Sequence, residues 1–530
     1  MYRVWKRPTI VAAPAFLLAL SLATTASAQD FEDRVTEFEE SNDKLQVEAQ
    51  FDTEWIAFNN MDFREIDESS DQAILDSDDR GTFANTGAGL DLSYDVDDRT
   101  EFVLGTSYRG LWGNDQIGGT NQFGSWIYFT DMYVKLGLAA GDDKPSMRIG
   151  RQSFRLGGLG GAQDYIIHDT IDMIRVDMPL GEALNFVFIP VNVVGMSQDN
   201  DGLNFLSMAA TSNIQLFNFR GDRLTRRHGL VVEVEPGPIE ARLYAFYTDL
   251  GALGSGSDIT YNGLLGNFAD NDWTTNYGVR TAFDLGVVTP FAHFDGSAGI
   301  DRKELVATDV DTKGFAWGAG IKVDTAGDDE EGDQPWPRFE AEAQYFDATG
   351  PGYAETGLQF SHGYVGMKGK HAGGLIFGRS LGFHPSAYVG TFGISDTPHE
   401  QDRKSAARVL HAGAEGRVTK TLHFGADWWM LQSKGVTFVN FSKIENLNTP
   451  FGYARAEFAA QKRIGETLGQ EVNAKAGITA RDKLTFWFVY GQVIGGGYYD
   501  TEIARVAGTA LGEKNGPRPW AYSAQMRLNF

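Results

Sequence analysis

The sequence contains no cysteine among its 530 residues. This absence excludes a disulfide-bonded scaffold, a thiolate metal site and a CxxCH haem attachment site. The sequence also has no Pro/Ser-rich stretch that would separate domains, although domains average about 100–200 residues. Together these absences favour one large folded unit over a string of small modules.

Long apolar runs are also missing beyond the N-terminus, since no later stretch approaches the roughly 18 consecutive apolar residues of a transmembrane helix. The N-terminus itself has the pattern of a secretory signal peptide. Basic residues at 3, 6 and 7 precede an apolar stretch at 10–22, and Ala26-Ser27-Ala28 offers a small-residue cleavage site. We therefore predict a signal peptide over 1–28, cleaved near Ala28, and a periplasmic N-terminal segment over 29–44. An exported chain of this kind would span a membrane as a closed β-barrel, because lipid leaves the backbone few other ways to form its hydrogen bonds.

Positive charge is scarce. There are 46 Lys and Arg residues against 71 Asp and Glu residues, which gives a net charge of −25. Loss of the three basic residues in the leader would make the chain more acidic still. This balance argues against a nucleic-acid partner, and much of the acidic surplus falls in candidate loops, where it is expected to be solvated or to bridge lipopolysaccharide phosphates through divalent ions.

Signatures of enzymes are missing as well. There is no GxSxG elbow and no GxxxxGK[ST] phosphate loop, and His399-Glu400 lacks the second His of an HExxH site because position 403 is Arg. We predict no enzymatic activity, no cofactor and no resident metal. A folded cluster of histidines in a barrel enzyme stays open as an alternative, with His362, His384, His411 and His423 as its candidates.

What the sequence does contain is alternation of apolar and polar residues. Over residues 520–529 one face carries Leu528, Met526, Ala524, Tyr522 and Trp520, and the other carries Asn529, Arg527, Gln525 and Ser523. A period of two is typical of a β-strand with one apolar and one wet surface. A chain that ends on such a strand, with Phe530 as its last residue, resembles the C-terminal signal of outer-membrane barrels. We therefore expect the barrel-assembly machinery to be a partner.

The same alternation recurs over residues 45–55, 273–284, 314–323 and 471–478. About ten residues per segment is the length that a tilted strand needs to cross a bilayer. Tight turns at 97–99, 179–181, 236–238, 419–420 and 481–483 alternate with long stretches near 59–83, 193–226, 249–272, 380–406 and 433–469. The pattern predicts an all-β transmembrane antiparallel barrel over 45–530, with short periplasmic turns and long extracellular loops. A soluble β-sandwich or propeller is the alternative.

The alternation gives roughly twenty candidate strands, and each weak hairpin that does not form lowers the strand count by two. The Gly-rich 361–380 region is the weakest hairpin. We predict about 18 strands, within a range of 16–20. Because barrels of this size leave an open aqueous lumen, the expected function is that of a channel, in the bacterial outer membrane and in contact with its lipid and lipopolysaccharide.

Two stretches carry short motifs. The first holds Ile149-Gly150-Arg151-Gln152 and the run 172–177, and the second holds the run 468–473 followed by 489–491 and 495–498. These motifs resemble those of the alginate export family of outer-membrane β-barrel porins. The resemblance implies an 18-stranded barrel with an arginine-rich constriction that exports an acidic polysaccharide and works with periplasmic secretion components. Many relatives are porins of undefined substrate, so general diffusion or nutrient uptake stays open, as does a surface-binding structural barrel.

Assigning the apolar face of each strand to lipid predicts which charged residues point into the lumen. The candidate pore-lining residues are Arg109, Arg148, Arg151, Arg175, Arg242, Arg280, Arg417, Lys475, Glu471 and Arg527. Arg151 is included because it matches the family motif, although the alternation puts it on the same face as Met147 and Ile149. A bulge, or a position above the apolar band, would reconcile the motif with the alternation. Any one inward arginine could instead brace the wall through an ion pair.

Inward acidic residues are at least as common, so we expect a lumen with opposed basic and acidic walls. Within it, Arg148 and Arg175 are the predicted constriction. The Gly-rich 156–161 loop is expected to fold inward between them.

Overall fold

The computed structural model describes residues 44–59, 81–111, 126–139, 144–156, 159, 168–181, 183–194, 225–251, 272–301, 310–325, 337–350, 352–353, 359–361, 363–364, 366–367, 374–376, 407–433, 437–438, 462–463, 467–480, 483–495 and 520–529. The predicted signal peptide, the segment 29–43 and Phe530 lie outside these residues.

The described chain forms 22 strands. The first thirteen are β1 (Leu45–Asn59), β2 (Gly81–Asp97), β3 (Thr100–Leu111), β4 (Trp126–Gly137), β5 (Ser146–Arg155), β6 (His168–Pro179), β7 (Leu184–Val194), β8 (Thr225–Val234), β9 (Ile239–Gly251), β10 (Asp272–Phe283), β11 (Val288–Asp301), β12 (Val310–Asp324) and β13 (Arg338–Ala348). The others are β14 (Gly352–Tyr353), β15 (Gln359–Ser361), β16 (Ala407–Arg417), β17 (Leu422–Ser433), β18 (Thr437–Phe438), β19 (Lys462–Arg463), β20 (Thr467–Ala480), β21 (Leu484–Gly495) and β22 (Trp520–Asn529).

Eighteen of these strands form the wall of a closed antiparallel barrel. Each wall strand pairs with its neighbours in the order β1 to β13, β16, β17, β20, β21 and β22. Closure comes from β22, which pairs with β1 from Gln50↔Asn529 to Asn59↔Trp520. The all-β barrel of about 18 strands predicted from the sequence is confirmed. Among the described residues, no helix has the length and apolar character needed to span a membrane.

The alternation in the sequence sets the two faces of the wall. On β22 the inner face carries Ser523 and Gln525, whose side chains both donate hydrogen bonds to Glu54 of β1. The outer face of the barrel carries exposed apolar side chains on most strands, including Phe102, Leu243, Val279, Phe294 and Ile321. The period-two pattern therefore identifies the sides of these strands correctly, because each residue's side follows from its parity.

One end of the barrel has short connections. Asp98 and Arg99 join β2 to β3, residues 235–238 join β8 to β9, and residues 418–421 join β16 to β17. The acidic segment 325–336 also connects strands at this end, since it follows β12 and precedes β13. We call this the short-turn end. Many of the residues between strands at the other end, such as 195–224, are outside the described part.

A segment after β13 runs inside the barrel, and we call its described residues between 359 and 376 the inner segment. Near its start Ser361 pairs with Asp311 of β12. Near its end Leu375 and Ile376 donate backbone hydrogen bonds to the side chains of Asn473 and Glu471 on β20. Since β13, β16 and β17 separate β12 from β20, the segment bridges roughly 20 Å of wall at the usual strand spacing. The weak hairpin seen at 361–380 in the sequence is thus not part of the wall.

A second stretch folds inward directly after β5. Leu156 and Leu159 are both buried, and Leu159 packs with Ala282 of β10 and Phe291 of β11 on the inner wall. The carbonyl oxygen of Leu156 accepts a hydrogen bond from Arg242 Nη1 of β9 at 3.3 Å. The inward fold predicted for the loop at 156–161 is therefore present at these two residues.

Candidate functional site

A row of basic side chains crosses three neighbouring strands on the inner wall near the short-turn end. Lys135 of β4 lies directly opposite Arg148 of β5, which lies opposite Arg175 of β6. Arg148 follows the first residue of its strand by two positions, and its guanidinium lies 5.9 Å from the centre of the Tyr133 ring. We call these three residues the basic row. It includes the two arginines predicted to form a constriction.

Two carboxylates accompany the basic row. Asp177 accepts hydrogen bonds from Arg175, with Nη2 at 2.6 Å, and lies 4.0 Å from Arg148 Nε. Glu101 of β3 lies 3.2 Å from Lys135 Nζ. Three cations therefore share two carboxylates in these contacts, and Asp95 of β2 lies directly opposite Glu101.

The opposite wall carries both carboxylates and cations, and Lys322 of β12 lies 3.3 Å from Glu340 Oε1. Counted along the pairing order, β13, β16 and β17 lie halfway round the barrel from β4, β5 and β6. Their inner faces carry four carboxylates near the same end, from Glu340, Glu342, Glu415 and Asp427. Lys475 of β20 lies 2.5 Å from Asp427 Oδ2. We call these four the acidic wall. Opposed charges of this kind create a field across the lumen.

Three predicted residues lie elsewhere on the strands. Arg417 ends β16 at the short-turn end, directly opposite Arg338. Arg527 of β22 lies between Asp52 of β1 and Thr485 of β21 in register. Arg109 lies on β3 opposite Gly87, and its side chain is outside the described part of the structure. None of the three belongs to the basic row.

Arg151 does not line the lumen. The register through β5 and β6 is regular, and it places Arg151 opposite Asp172 on the outer face, two pairs above Ile149 and Ile174. No bulge intervenes between Arg148 and Arg151. Parity predicts this outward position, and the choice of Arg151 as a pore-lining residue from its motif is corrected by the register.

Glu471 points inward but is fully covered, with 0% of its surface exposed. Its Oε1 accepts a hydrogen bond from the backbone N–H of Ile376 at 2.8 Å. Beside it, Asn473 Oδ1 accepts from the backbone N–H of Leu375 at 3.3 Å. Glu471 therefore holds the inner segment against β20, and its predicted place on the open surface of the lumen is corrected.

Arg280 and Arg242 lie next to each other on β10 and β9. Arg242 is half-buried, with Nε 3.3 Å from Glu233 Oε1. Arg280 is 4% exposed, and its Nε lies 3.9 Å from Oδ1 of the fully buried Asp295. As Arg280 is covered, it does not contact solvent in the lumen as the sequence suggested.

Asp295 is the centre of a buried polar group on the inner wall. Its Oδ1 accepts a hydrogen bond from the Tyr244 hydroxyl, and its Oδ2 lies 2.5 Å from His293 Nδ1. The His293 ring stacks on Phe346 of β13, with ring centres 5.8 Å apart. We call Tyr244, Arg280, His293 and Asp295 the buried network. The first residues of the inner segment lie nearby, because a Cβ added at Gly314 of the adjacent β12 would overlap Gly363 and Tyr364.

Farther from the short-turn end, the inner wall of β5 to β9 is mainly apolar, with Gln152, Arg227 and Thr248 as buried polar side chains. Phe154, Met173, Ile189 and Phe246 are all buried there, and the Phe154 and Phe246 rings meet edge to face at 5.8 Å. The alternation in the sequence predicts polar side chains on the inner face of every strand, and for these strands that prediction is wrong. Burial of inward apolar residues means that protein covers them, so this part of the inner wall does not line a solvated lumen.

Sequence reasoning misses several residues at this site. It does not single out Tyr244, His293, Asp295 or Asn473. On β20 the signal is available, because Glu471, Asn473 and Lys475 share one parity and so one face. Within the described part of the chain, no group of three His, Asp or Glu side chains is arranged to hold a metal ion.

Comparison of the sequence with known proteins gives no assignment. No protein-family model matches the chain, and no curated protein matches it significantly. The resemblance to the alginate export family therefore rests on the short motifs given above.

Solved structures with a similar course of the chain include outer-membrane proteins. They include OccK2 (OpdF) of Pseudomonas aeruginosa in complex with glucuronate, at 9% identity and a TM-score of 0.41 over 92% of this chain and 96% of that one. OprD of the same organism gives 8% identity and a TM-score of 0.43 over 92% and 93%. Wzi of Escherichia coli, a carbohydrate-binding β-barrel involved in capsule assembly, gives 8% and 0.44 over 93% and 86%. These identities and scores are too low to transfer a function.

Proposed function

We propose that this protein is an outer-membrane channel that passes polar or anionic solutes. The observation that carries the proposal is the basic row, which faces the acidic wall across the open part of an 18-strand barrel. Barrels of this size enclose an aqueous lumen, and charged rings or walls within it select among solutes. The residues we assign to solute contact are Lys135, Arg148 and Arg175.

The direct test is single-channel recording in planar lipid bilayers. The purified, detergent-solubilised protein is expected to insert and give discrete current steps. The inner segment and the buried apolar wall narrow the barrel, so the conductance should be below that of an unobstructed barrel of this width. A chain that inserts but carries no current would contradict the channel and favour a surface-binding structural barrel, which the covered inner wall of β5 to β9 supports.

We propose an acidic oligosaccharide as the substrate class, in line with the resemblance to the alginate export family. The three cations of the basic row support an anionic solute. Oligouronates added to the bath should interrupt the single-channel current at lower concentration than neutral oligosaccharides of equal length. Equal block by both sugars would contradict an acidic substrate and favour a general or nutrient-uptake porin. The direction of transport would follow from what the periplasm supplies.

The inner segment offers a prediction about pore size. Changing Glu471→Ala removes the acceptor of the Ile376 N–H, and a buried N–H without a partner costs about 1–3 kcal/mol. The end of the segment should then detach from β20 more often, and the single-channel conductance is expected to rise and to fluctuate more. The matched control is Glu471→Gln, which keeps an acceptor oxygen at the same place. If Glu471→Ala has the same conductance as the unchanged protein, this contact does not determine the width of the pore.

A further inference from the structure

An indole ring lies against the inner wall near the short-turn end. Trp487 is the fourth residue of β21 and lies directly opposite Gln525, an inward residue of β22. On its other side it lies opposite Gly477 of β20. Three atoms of its six-membered ring, Cδ2, Cε3 and Cζ3, lie 2.6–2.8 Å from the position that a Cβ at Gly477 would take. One face of the ring therefore rests on the wall at Gly477, where the missing side chain leaves room for it.

The rest of the indole is not fully covered. Trp487 is half-buried, and the His423 ring meets it at 61°, with ring centres 5.4 Å apart. The inward Trp429 of β17 shows the contrast, since it is 5% exposed and stacks on His411 with ring centres 3.8 Å apart. Because an inward side chain that keeps exposed surface presents it to the lumen, Trp487 offers part of an aromatic ring to a solute there.

Polar groups surround this ring. Thr479 Oγ1 lies 2.7 Å from His423 Nε2 and 3.3 Å from Thr485 Oγ1, and both threonines are half-buried. Arg527 lies opposite Thr485, two positions nearer the short-turn end than the indole. Its side chain is exposed, and within the described part of the chain it is not engaged in an ion pair. An aromatic surface with a few polar groups around it is typical of a site for a small molecule.

We propose that Trp487 stacks on a sugar ring of the acidic oligosaccharide and that Arg527 binds a carboxylate of the same molecule. This inference rests on the proposed function, because it places the binding of that substrate class at particular residues. One face of a pyranose ring presents C–H groups, which suit the partly negative face of an indole. The sugar hydroxyls at the rim of the stack are within the surroundings of Thr479 and Thr485, and a guanidinium pairs with a carboxylate through two parallel hydrogen bonds.

Isothermal titration calorimetry on the detergent-solubilised protein tests the site, because it measures binding whether or not the chain conducts. The probes are tetragalacturonate and its methyl ester, which keeps the four rings and removes their charge. Both are expected to bind to the unchanged protein, the acid more tightly. Trp487→Leu removes the ring and keeps an apolar side chain, so it should raise the Kd of both probes several-fold. Trp487→Phe keeps an aromatic face and should raise both Kd values less.

Arg527→Gln separates the charge from the stacking. It should raise the Kd of tetragalacturonate several-fold and leave that of the methyl ester unchanged, because only the acid has a carboxylate to lose its partner. The matched control is Phe488→Leu, which changes the next aromatic residue of the same strand on the outer face and should leave both Kd values unchanged. The shift in mobility of the unheated sample on a gel checks that each variant is folded.

Several results would overturn the proposal. These are an unchanged Kd for both probes in Trp487→Leu, a loss confined to the acid in that variant, or no binding of the methyl ester to the unchanged protein. Each would show that the indole does not stack on a sugar ring. None of them bears on conduction, which the current steps in planar bilayers decide separately. A protein that binds both probes as expected and gives no current would retain this site and lose the channel.

Discussion

Changing Arg148→Glu together with Arg175→Glu is expected to make the channel strongly cation-selective. The double change replaces two of the three cations of the basic row by carboxylates, and the wall facing it already carries four carboxylates. Both walls would then attract cations. Because charged clefts change local ion concentrations by about tenfold or more, the permeability ratio of K⁺ over Cl⁻ should rise on the order of tenfold. The reversal potential under a KCl gradient measures it.

A matched control separates local charge from total charge. Arg338→Glu with Arg417→Glu makes the same change in net charge on the opposite wall, at the short-turn end of β13 and β16. Those two positions lie beside carboxylates that already set the local potential, so the shift should be much smaller. Equal shifts from the two double variants would mean that the field across the lumen does not decide selectivity. Placing the site at the basic row would then be wrong.

The architecture of the barrel is predictable from the sequence because it depends on local rules. Side-chain parity in a strand is fixed at a period of two, so Ser523 and Gln525 fall on the inner face without any knowledge of their partners. The basic row follows from the same rule. Parity also places Arg151 on the outer face, and the error there came from giving a motif more weight than periodicity.

The interior of the barrel is much less predictable. Whether an inward side chain meets water depends on which distant segment folds over it, and the alternation of β20 contains no sign that residues 374–376 cover Glu471. The inner wall of β5 to β9 shows the same limit, since Phe154 and Phe246 are inward and buried. An apolar residue on the inner face breaks the rule that apolar means lipid-facing. The rule holds where the lumen is open and fails where protein fills it.

The inward stretch after β5 and the inner segment are both attached to the wall between β9 and β12. Leu159 packs on β10 and β11, and Arg242 of β9 holds the carbonyl of Leu156. The inner segment begins on the adjacent β12 and ends on β20. The buried network lies between these attachments, on β9, β10 and β11. The wall from β9 to β12 thus anchors the material that narrows the lumen, while the basic row on β4 to β6 remains half-exposed.

Loss of Asp295 is therefore expected to have a large effect on stability. Changing Asp295→Asn leaves Arg280 as a covered cation without its carboxylate, and breaking a buried pair in this way costs about 3–5 kcal/mol. The hydrogen bonds from Tyr244 and His293 to Asp295 would weaken as well. The free energy of unfolding, from urea titration of the protein folded in lipid vesicles, should fall by about that amount. A fall below about 1 kcal/mol, the size of an ordinary neutral hydrogen bond, would show that the pair is not energetically important.

The companion variant tests the cause of that loss. Arg280→Gln with Asp295→Asn removes both charges and keeps side chains that can donate and accept hydrogen bonds. Since the cost of the single change comes from an uncompensated charge, the double variant should be more stable than Asp295→Asn alone, although it carries one more substitution. Such non-additivity is the measure of direct coupling between two residues. Strictly additive losses would mean that Arg280 and Asp295 contribute independently, and that the covered arginine is held in place by the packing of β9 to β12 and not by its carboxylate.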